Sequence, residues 1–263
     1  MGIYDQHLHS KFSYDSRQEM EEYIIAAKAQ GDKIFTTTEH MDLDSSITDC
    51  DMVPDFANLL AERSSLAKKY DIEILNGVEI GYKPITQDKI EKVISHHSEF
   101  DVIILSIHED EYGDVATQAL LQNKTPDVAF THYLELVLYA VTHFSDFDIL
   151  GHIDFIIRYV GQVEIEKYEE KLVEIFKVVI EKDKTLEINT RLIEKYGTVK
   201  YSKFVIETYA KCGGKKVSLG SDAHKIEGYK LNFETVKEIL MENGILGITA
   251  YKNRKPFFMP FEG

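Results

Sequence analysis

The chain has 263 residues, 44% of them hydrophobic and 29% charged, with a formal net charge of -15 at pH 7. That is the balance of a globular protein large enough for one α/β barrel or two small domains. It excludes the clustered basic surface a nucleic-acid partner needs. Cys50 and Cys212 form neither a disulfide framework nor a Cys-x-x-Cys site, so two ordinary thiols in a reducing compartment are expected. No apolar run approaches a membrane span, so no membrane association is expected. Gln6 stands where an N-myristoylation signal on Met1-Gly2 needs Ser or Thr, and candidate ligands begin at residue 7, so neither lipid anchor nor removable leader is expected. The chain is therefore read as cytoplasmic. Its oligomeric state stays open.

A short N-terminal run ends in Asp5-Gln6-His7-Leu8-His9-Ser10. Residues two apart on a strand face one side, so His7 and His9 present both imidazoles together. Met20, Tyr23, Ile24 and Ala27 recur at helical spacing over 17–30, with Gly31 at the C-terminal cap position. A strand is expected over 33–38. A helix follows, with Pro54 in its first turn and Phe56, Leu59, Leu60, Leu66 and Ala67 along it. Further strands are expected over 72–80, 101–107, 147–153, 184–189 and 216–221. Helices are expected over 86–99, 126–144, 164–183, 201–212 and 233–243. The acidic stretch 109–116 reads as a solvated turn in preference to a lid, and 41–53 as a loop. Seven strands with intervening helices and no linker predict one domain over 1–263, a closed α/β barrel, with a doubly wound open sheet as the alternative.

In a parallel barrel the C-terminal strand ends converge on one mouth. Here those ends carry His7 and His9 with Asp15 just beyond, then Glu39-His40, Glu79, His108, His152 with Asp154, Glu187-Ile188-Asn189-Thr190-Arg191, and Ser221-Asp222-Ala223-His224. Six of the ten histidines fall there, while His96, His97, His132 and His143 lie on expected helices, where a solvated or capping role suits them. Taken singly, His40 or His108 reads as a loop histidine and Asp222 as a helix cap. Glu79 is more pointed, because a buried carboxylate is costly unless paired or on a metal. One metal cluster explains all the strand ends at once.

The pattern His7-x-His9, Asp15, Glu39-His40, Glu79, His108, Gly151-His152 and Asp222-x-His224 resembles the polymerase and histidinol phosphatase (PHP) superfamily, from residue 5 to about residue 230. More narrowly it resembles that superfamily's histidinol-phosphatase branch. The resemblance implies a distorted (β/α)7 TIM-like barrel with three divalent ions, Zn, Mn or Fe. His7, His9, Glu79 and Asp222 would hold the first, Glu79 would bridge to a second completed by His108 and His152, and Asp15, His40 and His224 would hold the third. Many members have histidine where this chain has Asp15, which makes that site harder. The implied activity is hydrolysis of a small-molecule phosphate ester, L-histidinol phosphate, in histidine biosynthesis.

Clustered divalent cations suit that reaction, lowering the pKa of bound water to about 7 and taking up charge on the phosphoryl oxygens. Arg158 and Arg191 are candidate phosphate clamps, because a guanidinium fork matches phosphate oxygens. Asp154, Asp222 and His224 are candidates to protonate the leaving alkoxide. Asp42 and Asp44 could meet a cationic group of the substrate, although a polar loop is the simpler reading. The rival functions are a phosphatase for phosphotyrosine or a sugar phosphate, a metal-dependent amidohydrolase, which would usually show a bridging carbamylated lysine, and a metal-stabilised interaction module.

Overall fold

The computed structural model describes residues 3–261; the readings that touch Met1 and Gly2 lie outside the described residues. In chain order the elements are α1 (Met20–Ala29), β1 (Ile34–Ser45), β2 (Cys50–Met52), α2 (Phe56–Tyr70), β3 (Glu73–Gly81), α3 (Gln87–His96) and β4 (Val102–Ser106). Next come β5 (Glu109–Asp110), β6 (Gly113–Asp114), α4 (Val115–Leu121), α5 (Pro126–His143), β7 (Ile149–Leu150), α6 (Ile157–Val160), α7 (Glu169–Glu181) and β8 (Thr185–Asn189). The chain finishes with α8 (Arg191–Tyr196), α9 (Lys200–Lys211), β9 (Val217–Gly220), α10 (Phe233–Glu242), β10 (Gly247–Lys252) and β11 (Lys255–Pro260). Among the described residues no helix is long and apolar enough to cross a membrane.

Strands β1, β3, β4, β7, β8 and β9 run parallel in that spatial order, with β2 added antiparallel outside β1. The N-terminal run closes the gap between β9 and β1. Gln6 N–H donates to the Leu219 carbonyl at 3.0 Å and His9 N–H to that of Ala223 at 2.8 Å, while Thr38 N–H donates to the Leu8 carbonyl at 2.9 Å. Seven strands therefore make a distorted barrel, and the open-sheet alternative falls.

Period-2 alternation sorts the side chains. Leu8, Phe35, Val78, Ile80, Ile103, Leu105, Leu186, Ile188, Val217 and Leu219 face the surrounding helices and form the apolar core. Their neighbours His7, His9, Glu79 and Glu187 face the interior instead, so one strand serves both the core and the site. At the opposite end, the β10–β11 hairpin seals the barrel. Tyr251 packs on Val102, Ile104 and Ile149, its hydroxyl lies 2.7 Å from Thr185 Oγ1, and Gln6 Nε2 donates to the Thr249 carbonyl at 2.9 Å. The two strands of this plug carry no chemistry-bearing motif, and sequence reading missed them.

Several boundaries differ from expectation. β1 runs past residue 38 through His40 and Asp42, because paired register with β3 continues to Asp42↔Gly81; the segment read as a loop is thus strand, followed by the β2 arm. Pro54 precedes the helix, which starts at Phe56 with Asp55 accepting from Asn58 N–H at 3.1 Å. β7 is two residues long, where 147–153 was expected. The 109–116 stretch is not a solvated turn: it forms the β5–β6 hairpin and α4, with Glu109 and Asp110 buried. Lys83 Nζ donates to Glu109 Oε2 at 2.8 Å, and Ser45 Oγ to Glu109 Oε1 at 2.7 Å, which compensates the buried carboxylate. The two thiols are free, Cys50 exposed and Cys212 half-buried.

Gly220 marks where strands crowd beneath the site. A Cβ there would sit 2.0 Å from Glu187 Oε1 and 2.7 Å from His7 Cβ. Gly220→Ala is expected to cost about 1–3 kcal/mol, as overpacked cores do. A urea midpoint equal to that of the wild type would contradict this reading of the packing.

Candidate metal centre

Glu79 lies at the middle of the mouth, on β3, fully buried. Five imidazoles surround its two oxygens: His7 Nε2 at 3.2 Å, His9 Nε2 at 3.4 Å, His40 Nδ1 at 2.9 Å, His108 Nε2 at 3.3 Å and His152 Nε2 at 2.9 Å. Asp222 Oδ1 stands 3.4 Å from His9 Nε2 and 3.8 Å from His7 Nε2. At the rim, Asp15 Oδ2 lies 3.1 Å from His224 Nε2 and 3.5 Å from His40 Nε2. All nine candidate ligands are thus brought together.

The donor atoms have the spacing of a coordination site. Two donors each ~2.0–2.1 Å from one tetrahedral ion stand roughly 3.3 Å apart, the spacing seen around Glu79. Four triplets place their donor atoms within 4.8 Å of one another: His7, His9 and Glu79; His7, His152 and Asp222; His40, Glu79 and His108; and His9, His40 and His224. His7 Nε2, His9 Nε2, His40 Nδ1, His108 Nε2, His152 Nδ1 and Glu79 Oε2 are buried without a hydrogen-bond partner. Buried polar atoms are normally paired, so so many orphans in one place fit ions as their partners. Divalent cations suit this imidazole and carboxylate donor set.

On His7, His9 and His108 the opposite ring nitrogen is held, which fixes the direction of these three imidazoles. His7 Nδ1 is 2.5 Å from Glu187 Oε1, and His108 Nδ1 is 2.8 Å from Asp42 Oδ1. His9 Nδ1 is 3.0 Å from Ser13 Oγ, whose hydroxyl donates to Glu39 Oε2 at 2.7 Å. Glu187 also accepts from His152 N–H at 2.7 Å, so one carboxylate orients two of the cluster's residues. These orienting roles of Glu187, Glu39 and Ser13 were missed. The only signal was position, Glu187 and Asn189 sharing β8's inward face and Glu39 preceding His40. Glu187→Gln is expected to weaken metal affinity about 10–100-fold, as loss of such partners does. Titration of the apo protein with zinc reads this directly, and an unchanged affinity would refute the orienting role.

Electrostatics match the geometry. Burial disfavours charge throughout, yet His7, His108 and His40 around Glu79 hold its carboxyl well below the usual range. Burial also opposes a proton on His7, but Glu187, Glu79 and Asp222 outweigh it and raise the imidazole well above its usual value. His40 and His108 are raised in the same way against burial, through Glu79 and Asp42. For His9 and His152 burial wins and the pKa falls. The pocket thus attracts positive charge while keeping some nitrogens bare, a state suited to cations.

The other candidates fall out as follows. Arg158 is buried on the cavity wall, with Nη1 on Asp222 Oδ2, Nη2 donating to Asn189 Oδ1 at 3.0 Å, and Nε without a partner. Arg191 lines the same cavity, half-exposed, 3.2 Å from Glu194. Asp42 is buried on the wall with one oxygen taken by His108; Asp44 is exposed and pairs with Lys89 at 2.5 Å. Asp222, held in the left-handed region at φ 53°, and His224 both line the cavity. Asp154 does not line this cavity; it is buried behind the wall among Glu187 and Asn189, and burial pushes its carboxyl up to about 6. The cavity measures about 890 Å³.

Fold and site together define an α/β barrel with a divalent-metal centre at the C-terminal ends of its strands. The PHP domain family model matches residues 5–191, and the chain belongs to that family. It is 29% identical to a probable histidinol-phosphatase of Clostridium acetobutylicum, over 88% of this chain and 90% of that protein. It is 29% identical to the histidinol-phosphatase of Lactococcus lactis subsp. lactis, over 95% of both chains. A crystal structure of histidinol phosphate phosphatase from Lactococcus lactis subsp. lactis, in complex with zinc, L-histidinol and phosphate, superposes with a TM-score of 0.88 at 26% identity, covering 97% of this chain and 98% of that one.

Proposed function

We propose that the chain is a cytoplasmic, metal-dependent histidinol-phosphatase, hydrolysing L-histidinol phosphate to L-histidinol and phosphate, with residues 1–263 working as one domain. The observation that carries it is Glu79, a single buried carboxylate shared by five imidazoles, four of which face it with nitrogens that lack a hydrogen-bond partner, beside a buried arginine. Three ions, Zn, Mn or Fe, would be held by His7, His9, Glu79 and Asp222, by Glu79, His108 and His152, and by Asp15, His40 and His224. Bound there, such ions supply Lewis-acid charge for the phosphoryl oxygens and a water nucleophile ionised near neutral pH.

The chain's own residues do the rest. Asp222 and Asn189 hold Arg158 in the cavity wall, so its guanidinium is set in place to meet a phosphate oxygen. Arg191, less constrained at the mouth, adds a second fork. His224 lines the cavity and is the proposed proton donor for the leaving alkoxide. Asp222 beside it stays ionised, because although burial opposes the charge, Arg158 and His7 hold its carboxyl well below the usual range. Asp154 lies behind the wall, in a supporting place. Asp42 aims His108 and, as a residue of the cavity wall, is the proposed contact for a cationic group of the substrate. An amidohydrolase is disfavoured, because the group at the centre of this cluster is Glu79 and no lysine is in contact with it among the described residues.

Phosphate release from L-histidinol phosphate, phosphotyrosine and a sugar phosphate, measured after chelation and reloading with Mn, Zn or Fe, tests this. Preference for L-histidinol phosphate, lost on chelation, supports the reading. Metal-dependent turnover of the other esters alone would overturn the substrate and keep the chemistry.

A further inference from the structure

We infer that Tyr14, Ile47, Leu120 and Tyr159 form an apolar collar at the cavity mouth that grips a ring on the organic part of the ester; the inference rests on the phosphatase reading above. All four line the cavity while being 49%, 56%, 56% and 49% exposed. They come from four separate segments: the turn after the N-terminal run, the turn between β1 and β2, α4 and α6. Large apolar side chains scattered singly on a surface need no explanation, but a group converging on one concave mouth marks a ligand surface. This one occurs on a chain with a net charge of -15, above a floor of imidazoles, carboxylates and arginine.

The geometry orders the ligand. A phosphate belongs at the floor, beside Arg158, so the alcohol portion of the ester must extend toward the mouth. Tyr14 packs on His40 at 5.2 Å between ring centroids and Tyr159 on Phe155 at 5.1 Å, so each ring is backed by a buried neighbour and still half open to the mouth. The aliphatic members are braced as well. Ser46 N–H, next to Ile47, donates to Glu109 Oε2 at 3.0 Å, and Glu109 is fixed by buried Lys83. Asp114 caps α4 by accepting from Thr117 N–H at 2.6 Å, which sets the helix that carries Leu120. A braced collar of this kind loses little conformational freedom when a flat ring enters. A hydroxyl-rich sugar gains little from it.

The test is the ratio of kcat/KM for L-histidinol phosphate to that for O-phosphoethanolamine, which keeps amine and phosphate and lacks the ring, using metal-loaded protein. Leu120→Ala and Ile47→Ala are each expected to lower the ratio about tenfold, the scale on which apolar pockets discriminate. Leu120→Met is expected to retain the wild-type ratio. An unchanged ratio in both alanine variants would overturn the collar. Phenyl phosphate, assayed alongside, separates the two claims. Wild-type protein that hydrolyses phenyl phosphate but not L-histidinol phosphate overturns the substrate proposed above, and the collar is then decided by the same ratio taken with phenyl phosphate. Hydrolysis of none of these esters overturns both.

Discussion

Glu79→Gln is expected to lower phosphate release by about 10³-fold or more, the largest effect of any single substitution in this chain. A Lewis-acid ion contributes several kcal/mol of transition-state stabilisation, and each 1.36 kcal/mol is tenfold in rate. Glutamine keeps the shape of the side chain but removes the charge that five imidazoles share. It also replaces one acceptor oxygen by an NH2 donor facing bare nitrogens, so the variant should purify with less metal. Mass-spectrometric metal content and turnover should therefore fall together. Full metal content with wild-type turnover would show that Glu79 is a structural carboxylate and nothing more.

Arg158→Ala is expected to lower kcat/KM for the phosphate ester about 10²–10³-fold, the range seen when a charge-stabilising donor is removed from an active site. It also strands Asp222, a carboxylate buried with Arg158 as its partner, and leaving one member of a buried ion pair alone costs roughly 3–5 kcal/mol. Two readouts separate these effects. Arg158→Lys keeps the charge beside Asp222 and so most of the stability, but it lacks the fork that reaches both Asn189 and a phosphate oxygen. It should fold with a midpoint near the wild type and still show weakened inhibition by inorganic phosphate. Wild-type phosphate inhibition in Arg158→Lys would remove the clamp role.

The parts of the site legible in sequence were those whose chemistry is local. His7 and His9 announce themselves through two-residue spacing, and Glu79 through a charge inside an apolar run. Asp222 and His224 follow a strand in the same manner. What could not be read is what depends on register. His40 was placed after a strand that in fact continues through it, because the pairing of β1 with β3 outlasts the β-branched run that signals it. Glu187 was visible as a strand-end residue, but its place between His7 and His152 needs three strands aligned. Glu109 and Asp110 looked solvated because acidic runs usually are, and only the fold brings Lys83 and Ser45 to meet Glu109. The β10–β11 plug was invisible for a related reason: its partners, Asp101, Asp148 and Thr185, lie far away in the chain. Helix positions fared best, since amphipathic periodicity is set within each segment, as in α5 and α9.

The measurement that tests the central claim most directly is metal stoichiometry against activity. Chelated protein would be titrated with Mn, Zn or Fe while bound metal and phosphate release from L-histidinol phosphate are followed in the same samples. The expected result is about three tightly bound ions per chain, with activity absent from the apo protein and rising as the Glu79 cluster fills. Less than one bound ion per chain, with turnover indifferent to chelator, would contradict a metal centre at Glu79 and the hydrolysis proposed to occur there.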